Sequence, residues 1–68
     1  MLIYKIDVIE ALKNAGYNTT RIRKEKLLNE SVLQYIRENK PVGAKPLNKI
    51  CELLDMQPGD IIGYIKEE

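Results

Sequence analysis

The 68-residue chain contains no histidine and only one cysteine, Cys51. Without histidine it cannot form the Ser-His or Cys-His pair of a nucleophilic enzyme, and it lacks the ligand set of a zinc site. Its four glycines are scattered along the chain, so it has no glycine-rich loop that could hold a phosphate group. These absences argue against an enzyme and predict neither a metal nor another cofactor.

Long apolar runs are also lacking. No stretch approaches the roughly 20 apolar residues of a membrane helix. The first ten residues, MLIYKIDVIE, lack a basic start followed by a long apolar run, so we expect no signal peptide. Cys51 has no partner for an internal disulfide, which favours a reducing compartment and hence the cytoplasm.

The composition is that of a small globular protein. Hydrophobic residues make up 44% of the chain and charged residues 31%, so we expect it to fold without metals or crosslinks. A chain of this length builds one small core and has a stability margin of only about a few kcal/mol. We therefore predict a single domain over residues 1–68.

Apolar residues recur at helical spacing in four segments, roughly 6–15, 19–27, 30–38 and 45–54. Asn18, Thr19 and Thr20 are N-cap candidates for the second helix, and Asn29 is the candidate for the third. Cys51 lies on an apolar face, which favours a place in the core over a redox switch. The predicted apolar faces are Ile6, Ile9, Leu12 and Ala15; Ile22 and Leu27; Val32, Leu33 and Ile36; and Leu47, Ile50, Cys51 and Leu54.

The two ends of the chain leave alternatives open. The C-terminal stretch IIGYI alternates like a strand that could pair with the opening LIYKI in a small ribbon. A short helix over residues 60–63, with Asp60 as its cap, is equally compatible. The predicted fold is therefore all-α, with four to five helices, either with or without a two-stranded ribbon of the N- and C-terminal segments.

Charge is segregated along the chain, although the net charge is only +1. Residues 18–49 carry eight basic and three acidic side chains, a net charge of +5, whereas residues 50–68 carry −4. A polyanion would be attracted to the middle segment and oriented by the acidic end. The alternative is a solvated helix surface, but two short helices joined by a tight turn are typical of a helix-turn-helix.

The stretch from Asn18 to Ile65 resembles the lambda-repressor/Cro-type (Xre-like) helix-turn-helix transcriptional regulators, in particular a compact bacterial subgroup that is little more than the domain itself. RIRKEKLLNESVLQYIREN aligns with the two motif helices without gaps, and KICELLDMQPGDIIGYI is the most specific part. The resemblance extends over residues 4–65. The chain departs from the family at Arg23, where a small residue is usual, and at Leu27, where the turn usually has glycine.

The resemblance implies sequence-specific binding of double-stranded DNA, with the third helix as the recognition helix in the major groove. Gln34 would read adenine and Glu30 would accept a hydrogen bond from cytosine. It places base contacts at Glu30, Ser31, Gln34 and Tyr35. Phosphate contacts are implied at Thr19, Thr20, Arg21, Asn29, Arg37, Lys40 and Lys45. Ile22, Leu33, Ile36, Leu47, Ile50 and Leu54 would be core residues.

Each of these assignments has a structural alternative. Gln34 is compatible with a solvated position, Glu30 with a first-turn acid that suits the helix dipole, and Tyr35 with packing beside the following loop. Tyr4 and Tyr64 either shield the edge of the core or contribute to a homodimer contact, since such regulators often read two half-sites. A second hypothesis is a protein-interaction module that keeps the fold without binding DNA, supported by the acidic Glu30 and the near-neutral net charge.

Overall fold

A computed structural model describes residues 1–66 of the chain. Within that range the helices and strands are β1 (Leu2–Tyr4), α1 (Val8–Asn14), α2 (Thr19–Lys24), α3 (Glu30–Arg37), α4 (Ala44–Leu54), α5 (Pro58–Ile61) and β2 (Ile62–Tyr64). The mostly helical fold with a small ribbon is therefore confirmed. Glu67 and Glu68, which contribute to the acidic C-terminal charge, lie outside the described residues.

One apolar core holds the helices together. It is formed by nine buried side chains: Val8, Leu12, Ile22, Leu28, Val32, Leu33, Ile36, Ile50 and Ile61. Two predicted core residues, Leu47 and Leu54, are only partly buried and pack against its margin, as does Cys51. Leu28 fills the place beside α2 that the periodicity assigned to Leu27, because α2 ends before either residue and the turn directs Leu28 inward.

The four predicted helices all form, but their ends differ from the predicted ones. α1 begins at Val8 rather than at residue 6, because the Asp7 carboxylate caps it by accepting from the Glu10 N–H at 3.2 Å. Ile6 therefore lies before the helix and Ala15 after it. α2 ends at Lys24 instead of residue 27, and α4 begins one residue earlier than predicted, at Ala44.

A left-handed residue follows or ends each of the four longer helices. The positions are Gly16 (φ 95°), Lys26 (φ 54°), Asn39 (φ 58°) and Asp55 (φ 53°). After α2, the Leu27 N–H donates to the Ile22 carbonyl at 3.0 Å and the Lys26 N–H to the Arg23 carbonyl at 3.3 Å. These two bonds define a Schellman motif, which satisfies carbonyls that the helix leaves unpaired. The left-handed residue is Lys26, one position before the residue where the family usually has glycine.

The terminal segments form the ribbon, and the short helix lies at Pro58–Ile61 instead of the predicted residues 60–63, because residues 62–64 belong to the strand. β1 and β2 pair antiparallel, with Ile3 opposite Gly63, and the short helix α5 immediately precedes β2. The prediction that Asp60 caps this helix is wrong. Gln57 is the N-cap residue, and Asp60 lies inside the first turn, where its carboxylate accepts the Gln57 N–H at 3.3 Å.

The ribbon is tied to the end of α3 by Tyr4. Its hydroxyl donates to the Lys40 carbonyl at 2.7 Å, and partial burial raises the pKa of Tyr4 above its ordinary value. The contact joins the N-terminal strand to the loop after α3. Between Met1 and Lys66, no helix is both long and apolar enough to cross a bilayer.

Candidate nucleic-acid interface

Each helix of the α2–turn–α3 unit is preceded by an asparagine that caps it. The Asn18 side chain accepts from the Arg21 N–H at 2.8 Å, and the Asn29 side chain accepts from the Val32 N–H at 3.0 Å. The predicted cap at Asn29 is therefore confirmed. The same Asn29 oxygen also accepts from the Ser31 hydroxyl at 2.7 Å, so the first turn of α3 is ordered by its own side chains.

The four predicted base-contacting residues lie together on the solvent-exposed side of α3. Val32, Leu33 and Ile36 are buried. Because a helix has about 3.6 residues per turn, the intervening positions face away from the core. Glu30, Ser31, Gln34 and Tyr35 are all exposed. Tyr35 keeps 46% of its surface exposed.

The Glu30 carboxylate is paired with an arginine from the other helix of the motif. Arg23 Nε donates to Glu30 Oε1, and Arg23 Nη2 donates to Glu30 Oε2 at 3.4 Å. Both side chains remain open to solvent, 47% exposed for Arg23 and 65% for Glu30. The pair bridges α2 and the first residue of α3, so it joins the two helices on their exposed side.

A second hydrogen-bonded group fixes the amide of Gln34. Its Nε2 donates to Glu38 Oε2 at 2.7 Å, and Lys40 Nζ lies 3.2 Å from Glu38 Oε1. The hydrogen bond from Gln34 and the contact with Lys40 hold the pKa of Glu38 below its ordinary value. Since Glu38 stays ionised, it accepts hydrogen bonds only, and this determines which end of the Gln34 amide it binds.

Arg21 is held tightly at the start of α2. Its Nε lies 2.5 Å from Glu25 Oε2, its Nη1 donates to the Gly16 carbonyl at 2.9 Å, and its guanidinium stacks over the Tyr17 ring at 4.6 Å. The hydrogen bond and charge of Glu25 raise the pKa of Arg21 further above its already high value. This arginine therefore ties the α1–α2 turn to α2 and keeps part of its guanidinium occupied.

The predicted phosphate-contacting residues fall in three places around α3. Thr19, Thr20 and Arg21 lie in the first turn of α2; Asn29, Arg37 and Lys40 lie at the two ends of α3; and Lys45 is the second residue of α4. All are exposed except Thr19, which is partly buried. Whether they contact phosphate stays a prediction.

The three acidic side chains of the basic segment are each paired with a basic one. Glu25 pairs with Arg21, Glu30 with Arg23, and Glu38 with Lys40. Each acid of residues 18–49 therefore has a basic group beside it, and the segment keeps its net charge of +5. Arg23 was not among the site residues predicted from the sequence, because the family usually has a small residue there. The opposite charges of Arg23 and Glu30, which lie seven residues apart on either side of the turn, were the feature of the sequence that could have indicated their pairing.

The described residues do not form a site for a metal ion, and their one thiol is largely taken up in packing. Between residues 1 and 66 no group of three His, Cys, Asp or Glu side chains is placed to hold a metal ion. Cys51 is a half-buried free thiol that packs against the core. The exposed polar face of α3 and its basic surroundings are the best-developed candidate site.

Among the comparisons with known proteins, a protein family matches the chain. No curated protein and no solved structure matches the chain. Residues 5–67 match a family described as the Cro/C1-type HTH DNA-binding domain, over nearly the whole chain. That span includes both helices of the motif, the paired acidic side chains and the exposed face of α3. The chain therefore belongs to the Cro/C1-type HTH DNA-binding domain family.

Proposed function

We propose that the protein is a bacterial transcriptional regulator that binds double-stranded DNA sequence-specifically, with α3 in the major groove. The observation that carries the proposal is the exposed face of α3. Ser31, Gln34 and Tyr35 lie together there, and the surrounding segment has a net charge of +5 with each of its acids paired. Polar side chains specify bases, and basic ones supply affinity for the backbone.

Gln34 is the principal base-reading residue in this proposal. A glutamine reads adenine by accepting from N6 and donating to N7. One N–H of Nε2 is bound by Glu38, which leaves the second N–H and the Oε1 acceptor for the base edge. Ser31 and Tyr35 flank it, the first as a hydroxyl donor or acceptor and the second against a thymine methyl group. For Glu30 to accept from cytosine, its pair with Arg23 has to open or share the carboxylate.

The phosphate contacts come from the residues that surround this face. Hydroxyls of Thr19 and Thr20, the amide of Asn29 and the basic side chains of Arg21, Arg37, Lys40 and Lys45 would position the duplex. Each phosphate that a basic side chain neutralises releases counterions, so affinity should fall steeply with salt. A regulator of this kind acts where the bacterial chromosome or a mobile element lies, in the cytoplasm.

A second copy of the chain is the proposed protein partner. Four exposed apolar residues gather where the chain ends pair: Met1, Leu2, Tyr64 and Ile65, with Tyr64 72% exposed. This exposure favours Tyr64 as a dimer contact. Tyr4 instead packs against the core and binds the Lys40 carbonyl, which favours the shielding role. Two copies would read half-sites about one helical turn apart.

The protein-interaction hypothesis loses its main support. It rested on the acidic Glu30 in the groove-facing turn and on the near-neutral net charge. The Arg23 guanidinium compensates the Glu30 carboxylate, and the near-neutral total includes a net charge of +5 over residues 18–49. No described feature favours it over DNA binding, so it becomes an outcome of the test.

The test is a fluorescence-anisotropy titration of the full chain against random duplexes at two salt concentrations, followed by sequencing of the bound fraction. We expect salt-sensitive binding and an enriched palindrome. Replacing Lys40 and Lys45 by glutamine should reduce the slope of log K against log salt by about 2, since each lost phosphate contact removes about 0.9. The matched control replaces Lys13 and Lys66, which lie outside the basic segment, and should leave the slope unchanged. No binding at low salt would refute the proposal and move the assignment to a protein-interaction module.

A further inference from the structure

The ion pair between Arg23 and Glu30 lies at the edge of the proposed base-reading face. We infer that Arg23 is a further specificity-determining residue that contacts a guanine, and that Glu30 is the positioning residue that orients it. This inference rests on the proposed function. It changes the expected role of Glu30 from a reader of cytosine to a support for its neighbour.

The guanidinium of Arg23 has one edge occupied and one edge open. Glu30 takes the side edge, formed by Nε–H and one N–H of Nη2. Three donors remain, and two of them, the second N–H of Nη2 and one N–H of Nη1, form the end edge of the fork. Two parallel donors on this edge match the O6 and N7 acceptors that guanine presents in the major groove.

The place of the pair in the fold favours a base rather than the backbone. Glu30 is the first residue of α3, and the N-terminal residues of a recognition helix are the ones that reach base edges. Helical side chains lean toward the N-terminus, so Glu30 carries Arg23 toward the same end. The two side chains also line a shallow open cavity with Lys26, Leu28 and Asn29, which leaves space for a ligand beside the guanidinium.

The other arginine of α2 provides an internal comparison. Arg21 also gives its Nε to a carboxylate, Glu25, but its Nη1 is bound to the Gly16 carbonyl and its face lies on Tyr17. One of the two nitrogens of its end edge is therefore already bound within the protein. Arg23 makes no such second contact within residues 1–66, so of the two arginines it is the one prepared to accept a planar, bidentate ligand.

Glu30 supports this contact without competing for it. Each of its oxygens already accepts a hydrogen bond from Arg23, and its charge is compensated by the guanidinium. Because Glu30 holds the Arg23 side chain in one geometry before DNA binds, less conformational entropy of that side chain is lost on binding. A carboxylate that orients an arginine in this way raises discrimination between bases while slightly lowering affinity for DNA in general.

The experiment is selection from random duplexes with the full chain, comparing the natural protein with Arg23→Met, Arg23→Lys, Glu30→Gln and the control Lys24→Met. The natural protein should enrich sites with one required G·C pair. Both Arg23 variants should reduce discrimination at that pair by about 5- to 150-fold, the range for one bidentate contact, and leave other positions unchanged. Lys24→Met, which removes one charge from the same helix, should weaken all sequences equally.

Glu30→Gln separates positioning from reading. It removes a negative charge, so affinity for random duplexes should rise, while discrimination at the G·C pair should fall. A purely structural role would not move these two quantities in opposite directions. Arg23→Lys keeps the charge and most of the stem, so it remains informative if Arg23→Met fails to fold.

Three results would overturn the inference. Arg23→Met would weaken all sequences equally if Arg23 only touches phosphate. The G·C preference would survive in both Arg23 variants and vanish in Glu30→Gln if Glu30 reads cytosine directly. Failure of the natural protein itself to bind any duplex would refute the proposed function. This outcome is distinguished from the first two because neither the natural protein nor its variants would then bind DNA.

Discussion

Replacing Lys26 by glycine should stabilise the protein, although it removes a side chain. Lys26 has φ 54° in the turn between α2 and α3. A left-handed conformation costs an L-residue about 1–2 kcal/mol, because Cβ approaches the carbonyl oxygen that follows. Glycine avoids this cost but loses about 0.5–1 kcal/mol more conformational entropy on folding. The net expectation is a gain of about 0.5–1 kcal/mol in the free energy of unfolding.

The local contacts indicate that little else changes. The hydrogen bonds of this turn are made by backbone groups, the Lys26 N–H to the Arg23 carbonyl and the Leu27 N–H to the Ile22 carbonyl. The Lys26 side chain is exposed, so its removal uncovers no core residue. For a domain of this size, the gain corresponds to a rise in melting temperature of about 2–8 °C.

The assay is urea and thermal unfolding followed by circular dichroism, with Lys26→Gln as the control. That variant removes the charge but keeps the left-handed strain, so it should match the natural protein. Asn39→Gly is a second comparison and should gain less, because asparagine tolerates this conformation better than lysine. The reasoning is refuted if Lys26→Gly is no more stable than Lys26→Gln. A gain from Leu27→Gly instead would place the left-handed residue where the family usually has glycine.

Three further outcomes follow from burial, capping and charge. Leu33 is fully buried, so Leu33→Ala should cost about 2–5 kcal/mol and leave little of the folded state, measured by urea unfolding. Asn29→Ala removes the α3 cap and should cost about 1 kcal/mol in the same assay, whereas Asn29→Ser should lose much less. The pKa of Glu38 is lowered in the folded state, so its stabilising contribution is present above the ordinary carboxyl pKa and is lost as pH falls through the lowered value. Melting temperatures from pH 7 to pH 3 should therefore fall less in Glu38→Gln than in the natural protein, and equal slopes would contradict the assigned contacts.

Local sequence determined most of the helical framework. Helical spacing of Val32, Leu33 and Ile36 is enough to define the buried side of α3, and it places Gln34 and Tyr35 on the opposite side without any tertiary information. The cap at Asn29 is equally local, since its side chain binds a backbone N–H three residues on. Predictions of this kind succeed because the groups involved are within about one helical turn of each other.

The ends of helices were harder to predict from the sequence. Apolar periodicity extends α1 back to Ile6, but the Asp7 cap starts it at Val8. Periodicity likewise extends α2 to Leu27, although the left-handed Lys26 reverses the chain first and directs Leu28 into the core. A lysine gives no signal for such a turn, because its backbone preference is against it and only the surrounding packing imposes it.

The sequence by itself determined the residue types, the charge segregation and the polar face of α3, and these gave the family and the class of ligand. Only the tertiary structure decided which groups that are distant in the sequence come into contact. The pairing of Arg23 with Glu30, of Tyr4 with the Lys40 carbonyl, and of β1 with β2 joins groups 7, 36 and about 60 residues apart in the chain. Such contacts depend on how the helices pack around the shared core, which no local pattern specifies. The inferred role of Arg23 therefore became visible only when α2 and α3 were placed side by side.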